Sequence, residues 1–316
     1  MVKRRYRNMD PDARPATFGE LMRWRRERAR KKKDMRFKIG QAREKKPDYL
    51  LQNRSDFTLT WIGHSTFLIQ MDGLTIITDP VFAGRMGLDR RLEKPGLMLA
   101  ELPPVDVVLL SHSHYDHMDA GSLRRLKGNP ILLVPDGLGP KVRKLMKRNT
   151  VHEVSWGGHV RIGPLTFHSV PAQHWTKRSL TDTNTSHWCG WVIQPAVGNA
   201  GRTVTVYFAG DSGYFGGFRG IGDQFPDIRY ALLPIGAYEP EWFMGAQHMT
   251  PEEAIRAFSD VKGRVFVPMH YGAYHLADDT TEEALDRLLA EWRRRGFGPE
   301  RLRLFKHGET LIETME

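Results

Sequence analysis

Four side chains able to ligate a metal fall within six residues at His112-Ser113-His114-Tyr115-Asp116-His117. Burying such groups unpaired costs several kcal/mol, so the run needs a partner. Imidazole and carboxylate without thiolate form a donor set for zinc, with iron or manganese as alternatives. Side chains of an extended turn repeat every two residues, which points His112 and His114 the same way. Asp116 and His117 then curl toward a second point, giving room for two cations roughly 3.5–4 Å apart. Four residues do not complete two coordination spheres. Three more candidates each stand as the first ligand-type side chain after an apolar strand: His174 in Pro171-Ala172-Gln173-His174-Trp175, Asp211 in Ala209-Gly210-Asp211-Ser212-Gly213, and His270 in Pro268-Met269-His270-Tyr271. Cys189 is the single cysteine, which excludes an intrachain disulfide and any site built on several thiolates.

The elements that must position these residues are legible from periodicity and punctuation. Strands are expected at Phe57–Ile62, Thr66–Met71 and Leu74–Thr78, the last two joined by the hairpin signal Asp72-Gly73. The apolar run Val105–Leu110 reads as a strand buried on both faces, and the ligand loop follows its end. Further strands are expected at Ile131–Val134, Val160–Val170, His187–Gln194, Thr203–Ala209, Tyr230–Pro234, Val265–Pro268, Arg301–Phe305 and Thr310–Ile312. Helices are expected at Asp119–Leu126, Leu138–Arg148, Pro251–Phe258 behind the N-cap Thr250, and Thr281–Arg295. Clustered strands followed by alternation with helices predict an α/β fold of two packed mixed sheets with helices outside. No run is long and apolar enough for a membrane span, and no apolar stretch follows the basic start, so no secretory signal is expected. A cytoplasmic location is expected on this reading.

Charge divides the 316 residues. The net charge is +10, but residues 1–50 hold 18 Lys and Arg against 7 Asp and Glu, leaving 29 against 30 in the remainder. The expected organisation is therefore a basic arm, 1–50, and a catalytic domain, 51–316. A capping box at Thr17-Phe18-Gly19-Glu20 predicts a helix with Phe18, Leu21 and Met22 on one face and basic residues around the rest. That arm either straps its apolar face to the body or lies peripherally on an anionic membrane surface. The neutral body lacks a basic, aromatic-interleaved face, so no nucleic-acid partner is expected.

The ligand set resembles the metallo-β-lactamase fold, whose H-x-H-x-D-H loop, later His, Asp and final His bind two zinc ions. Asp79 in Thr78-Asp79-Pro80 matches that family's earlier strand-end aspartate. Within the superfamily, Trp61-Ile62-Gly63-His64-Ser65-Thr66, Pro171 to Arg178, Ile235-Gly236-Ala237-Tyr238-Glu239-Pro240, Trp242-Phe243-Met244, Gln247-His248 and Lys306-His307-Gly308-Glu309 resemble the N-acyl-phosphatidylethanolamine-hydrolysing phospholipase D group. The similarity runs over about residues 55–310.

The resemblance implies that His112, His114 and His174 bind one metal and Asp116, His117 and His270 the other, with Asp211 bridging. It implies that Asp79 orients a ligand histidine from outside, and that Asp116 and Asp211 are catalytic. His64 either supports the ligands in the same way or fills the turn after its strand. His248 is the candidate proton donor to the leaving alkoxide, against a role packing beside Thr250. Trp242, Phe243 and Met244, with Tyr238, are the candidate lipid contacts. The implied reaction is hydrolysis of N-acyl-phosphatidylethanolamine, or a related phospholipid, to N-acylethanolamine and phosphatidic acid. The alternative is a metal-dependent hydrolase of a small soluble ester, lactone or phosphodiester, since fold alone does not fix substrate. A homodimer is in keeping with the resemblance.

Overall fold

The computed structural model of the protein describes residues 4–87, 89–196 and 204–314. Asp72 and Gly73 take left-handed φ angles of 48° and 78° and fold β2 (Thr66–Met71) back on β3 (Leu74–Thr78), while β1 (Phe57–Gly63) pairs with the other edge of β2. A short ribbon, β4 (Arg85–Met86) and β5 (Asp89–Arg90), precedes β6 (Val107–Leu109), β7 (Ile131–Pro135) and β8 (Val151–Val154). With β15 (Thr310–Glu313) these build a seven-stranded mixed sheet in the order β15-β1-β2-β3-β6-β7-β8. The second sheet has six strands. It contains β9 (His159–Ile162), β10 (Leu165–Val170), β11 (Gly190–Pro195), β12 (Thr205–Phe208), β13 (Ile228–Pro234) and β14 (Val265–Met269), running from β14 at one edge to β9 at the other.

Alternation along the strands decides what each face meets. Leu59, Phe67, Ile69, Ile76 and Leu109 of the first sheet bury against Phe167, Trp191, Val206, Phe208 and Leu232 of the second, forming the main core. The intervening residues Ile62, Leu68, Ile77, Val108 and Leu132 face the opposite way. They pack beneath α2 (Pro47–Gln52), α3 (Ala120–Leu123) and α4 (Gly139–Leu145) through Leu50, Leu123, Leu138 and Val142. On the second sheet's outer side lie α5 (Gly217–Gln224), α7 (Pro251–Asp260) and α8 (Thr281–Arg294), contributing Phe218, Ile255, Phe258, Leu288 and Trp292. Thr250 and Thr280 cap α7 and α8 in full capping boxes with Glu253 and Glu283, so two otherwise orphaned donors are satisfied at each start. The expected architecture of two packed mixed sheets with outer helices is the one observed.

Several expectations shift: the strand expected from His187 begins at Gly190, the helix expected over 119–126 is the single turn Ala120–Leu123, the helix expected to Arg148 ends at Leu145, and three further strands differ. Val160–Val170 is two strands, because Gly163, at φ 53°, turns the chain between β9 and β10. Arg301–Phe305 forms only a single bridge, Leu302 to Phe266. The strand expected from Thr203 begins at Thr205, and Thr203 itself lies outside the described residues. The arm does form the expected helix, α1 (Phe18–Arg28), with the Thr17–Glu20 capping box. Its apolar face differs from the sequence expectation. Phe18 and Met22 remain exposed, at 76% and 40%, while Leu21 and Trp24 turn toward the body beside α6 (Glu241–Met244).

Candidate metal centre

Parallel pairing of β3 with β6, and of β12, β13 and β14 with one another, brings the C-terminal ends of these strands to one edge of the sandwich. That edge is where ligand sites form in such sheets. β3 leads directly to Asp79, β6 runs into His112–His117, β12 leads to Asp211 and β14 leads directly to His270. β10 ends four residues before His174. The backbone is shaped to deliver them. His64, Asp79 and His270 occupy left-handed φ angles of 57°, 33° and 59°. Such conformations cost non-glycine residues on the order of 1–3 kcal/mol each and persist where the surroundings fix them. Gly210 permits a close approach, because a Cβ there would stand 2.5 Å from the Ser111 Cβ. A Cβ at Gly236 would stand 2.2 Å from the His270 carbonyl oxygen.

Two groups of ligand-type atoms result. In the first, the His114 Nδ1 lies 2.9 Å from His112 Nε2 and 3.1 Å from His174 Nε2. Outer contacts fix which of these nitrogens carries a lone pair. His174 Nδ1 donates to the Gln247 carbonyl at 3.0 Å. Ser111 gives its hydroxyl proton to Asp79 and so accepts from His112 Nδ1, 2.9 Å away. Both Nε2 atoms therefore present lone pairs to the same point. In the second group, His117 Nδ1 donates to Asp79 at 2.7 Å, turning Nε2 inward. The His117 and His270 Nε2 atoms are each 3.1 Å from Asp211 Oδ2 and 3.4 Å from Asp116 Oδ2, yet neither has a hydrogen-bond partner among the described residues. Asp211 Oδ2 also lies 3.9 Å from His112 Nε2 and 3.7 Å from His174 Nε2, between the two groups.

Converging lone pairs and orphaned buried nitrogens, crowded against carboxylate oxygens, are unfavourable by themselves. A cation in each group would satisfy them, so the residues present fit metal ions. The electrostatics agree. Burial pushes His114 down to about 4, and His112 and His174 fall with it, keeping all three neutral. At His270 burial also opposes the charge, but Asp211 and Asp116 outweigh it and raise the group to about 9. The same carboxylates, with Asp79, raise His117. Asp116 and Asp211 are held below the usual carboxylate range, because His117 together with His270 outweighs their burial. Without a metal, imidazolium charge thus stands where a cation fits.

The remaining candidates separate. His64 Nε2 contacts Asp116 Oδ2 at 3.1 Å. His248 lines the cavity, with its Nδ1 4.0 Å from Asp211 Oδ2 and its ring 5.0 Å from that of His174. Phe243 and Met244 line the same cavity, of about 430 Å³, together with Trp175. Tyr238 and Trp242 are not among its lining residues. Tyr238 is wholly buried in the main core beneath the Arg287 guanidinium, and Trp242 points outward, its Nε1 donating to Glu27 at 3.2 Å and its ring covered by Arg23. Both therefore fail as substrate contacts for this cavity.

Sequence reasoning passed over Arg178. Its Nη1 donates to the carbonyls of Ser113, His114 and Met118 at 2.8, 3.2 and 2.9 Å, while its guanidinium lies 3.9 Å above the Tyr115 ring. One side chain thus pins the ligand loop by its backbone. It also passed over Trp24, which lines the cavity from the arm together with Leu21, a residue the sequence does place on the arm's apolar face. Their i, i+3 spacing was the available signal.

Residues 75–271 match the family model for the beta-lactamase superfamily domain. An uncharacterized protein of Mycobacterium tuberculosis is 36% identical over 255 residues, covering 77% of this chain and 66% of its own length, so the chain spans about two thirds of that relative. The N-acyl-phosphatidylethanolamine-hydrolyzing phospholipase D 1 of Caenorhabditis elegans is 36% identical over 255 residues, covering 74% of this chain and 68% of its own. The isothiocyanate hydrolase from Delia radicum gut bacteria superposes with a TM-score of 0.64 at 18% identity, over 82% of this chain and 100% of that one, a likeness of fold alone.

Proposed function

This chain belongs to the beta-lactamase superfamily as a metal-dependent hydrolase, and we propose that it is a dinuclear phosphodiesterase of phospholipase D type acting on N-acyl-phosphatidylethanolamine. The observation that carries this reading is the meeting of two ligand groups at Asp211 Oδ2, on the wall of a cavity whose lining includes the apolar side chains of Leu21, Trp24, Trp175, Phe243 and Met244 beside the polar Lys177, Thr183 and Gln247. His112, His114 and His174 would hold one ion; Asp116, His117 and His270 the other; and Asp211 both. Imidazole and carboxylate donors favour zinc. Bound there, the metals supply Lewis-acid stabilisation of charge at phosphorus and a lowered pKa for water.

The chain's own residues do the rest. Asp79 fixes the His117 tautomer and Ser111 that of His112. Asp116 and Asp211 stay ionised at neutral pH. Water oxygen adds to phosphorus and the bond to the ethanolamine oxygen breaks, which leaves an alkoxide that needs a proton. Burial pushes His248 down to about 4, so its imidazole is neutral near pH 7, with an Nδ1 that has no hydrogen-bond partner among the described residues; it can take the proton that the attacking water gives up and, as the imidazolium so formed, hand it to the departing oxygen. The products are N-acylethanolamine and phosphatidic acid.

No helix among the described residues is long and apolar enough to cross a membrane. The exposed Phe18 and Met22 share α1 with the exposed Arg25 and Arg26, a combination suited to peripheral contact with anionic lipid. The test is hydrolysis of N-acyl-phosphatidylethanolamine, plain phosphatidylethanolamine and bis(p-nitrophenyl) phosphate, with and without anionic vesicles. Release of N-acylethanolamine, increased by vesicles, is expected. Turnover of the soluble diester alone would move the assignment to a small soluble substrate.

A further inference from the structure

The cavity has two unlike walls. One carries the ligand groups, through His114, Asp116, Asp211 and His270. The other belongs largely to the N-terminal arm, which supplies the chain from Pro15 to Phe18 together with Leu21 and Trp24, beside Phe243 and Met244 of α6. The arm lies outside the family match at 75–271, so this wall is separate from the part of the chain that carries the ligands.

The arm is tied down on both sides of the cavity. Upstream, Asn8 exchanges two hydrogen bonds with the backbone of His174, at 2.9 and 3.0 Å, and Gln247 Nε2 donates to the Arg14 carbonyl at 2.9 Å. At the wall itself, the Trp24 ring stacks on Phe243 with centroids 5.0 Å apart, and its Nε1 donates to Asp278 Oδ1 at 3.0 Å. Downstream, Lys31 reaches the other Asp278 oxygen at 3.1 Å, and Lys33 bridges Glu239 and Glu283 at 2.5 and 2.7 Å. The Asp278 side chain is only 2% exposed. Held at these points, Leu21 and Trp24 occupy set positions.

We propose that Leu21 and Trp24 set the length of N-acyl chain the site accepts, so that the arm is the specificity-determining wall of the cavity. This deepens the reading above and rests on it for the identity of the chain. The physical basis is simple. Each methylene entering an apolar cavity tightens binding by about fourfold. The gain stops where the chain meets a fixed wall, because overpacking against it costs as much as burial returns. The residue that places the wall therefore places the break in the affinity series.

The experiment measures binding of N-acylethanolamines, graded from butanoyl to arachidoyl, to the full chain by calorimetry, both chelator-treated and metal-loaded. Leu21→Trp and Leu21→Ala are compared with the natural chain, with melting curves on each. Affinity is expected to rise about fourfold per methylene and then level. Leu21→Trp moves the break to shorter chains and Leu21→Ala moves it to longer ones, opposite displacements that a folding defect does not produce. A break at one length in all three proteins, or no binding at all, overturns the proposal. Turnover of N-acyl-phosphatidylethanolamine is read on the same samples. Breaks that move without lipid turnover overturn the reaction assigned above and leave the wall standing. Turnover with an unmoved break does the reverse.

Discussion

The ligand cluster and the N-terminal arm meet in one cavity and are held by opposite means. Every proposed ligand is buried or nearly so, and three of the rings have their tautomer fixed by a partner behind them: Ser111 behind His112, Asp79 behind His117 and the Gln247 carbonyl behind His174. The arm instead lies across the surface, held by side-chain hydrogen bonds, ion pairs and one aromatic stack. The contrast separates two jobs. Chemistry needs atoms fixed within fractions of an ångström, whereas shaping a cavity needs only bulk in the right place.

That contrast predicts graded effects. Removing the shared carboxylate by Asp211→Ala should abolish retention of both metals and cut turnover by more than about 100-fold, beyond the range that outer partners reach; metal analysis of the purified variant checks it. Asp79→Asn keeps every proposed ligand and alters only the support behind His117, so metal affinity should fall about 10–100-fold, read by competition with a chromogenic chelator. Arg178→Ala removes a cation that binds three loop carbonyls and should weaken metal binding by about tenfold, with Arg178→Lys restoring part of the loss. Asp278→Asn touches only the arm. Its carboxylate is buried and faces the Trp24 Nε1, Arg28 and Lys31, so the change should destabilise by about 1–3 kcal/mol, read as a lowered melting temperature with both metals retained. An arm mutation that stripped the metals would break the comparison.

Acidity sharpens it further. In the metal-free chain His270 is raised to about 9 from an ordinary 6.5, and His117 is raised as well. A raised imidazole stabilises the fold below its unfolded value and stops doing so as pH climbs through its folded value. The metal-free protein should therefore lose stability between about pH 6.5 and 9. The same protons must leave for a metal to bind, so metal affinity should rise across that window. Melting curves and chelator competition at several pH values measure the two opposite slopes.

The ligand loop and the strand-end residues were legible because residue type itself carried the signal: an apolar run followed by His or Asp has few structural uses. The sheets were legible for the same reason, through alternation and through Asp72-Gly73. What escaped was set by tertiary contact. Nothing in the run Thr176 to Leu180 announces that Arg178 reaches three carbonyls around 60 residues away in sequence. Counting apolar residues along the arm selected Phe18, Leu21 and Met22, of which Phe18 and Met22 remain exposed; α6 offered Phe243 for Trp24 to stack on, and that contact chose the inward face, with Leu21 on it beside the cavity. Tyr238 looked like a cavity residue because its neighbours are, yet its ring enters the main core under Arg287.

Seven side chains, from His112 to His270, are proposed here to hold two cations. The most direct test is the ratio of transition metal to protein after exhaustive dialysis, with phosphodiesterase activity followed through chelation and reloading. The account predicts two metals per chain and activity that disappears and returns with them. A chain that retains no metal and keeps full activity in chelator would contradict it.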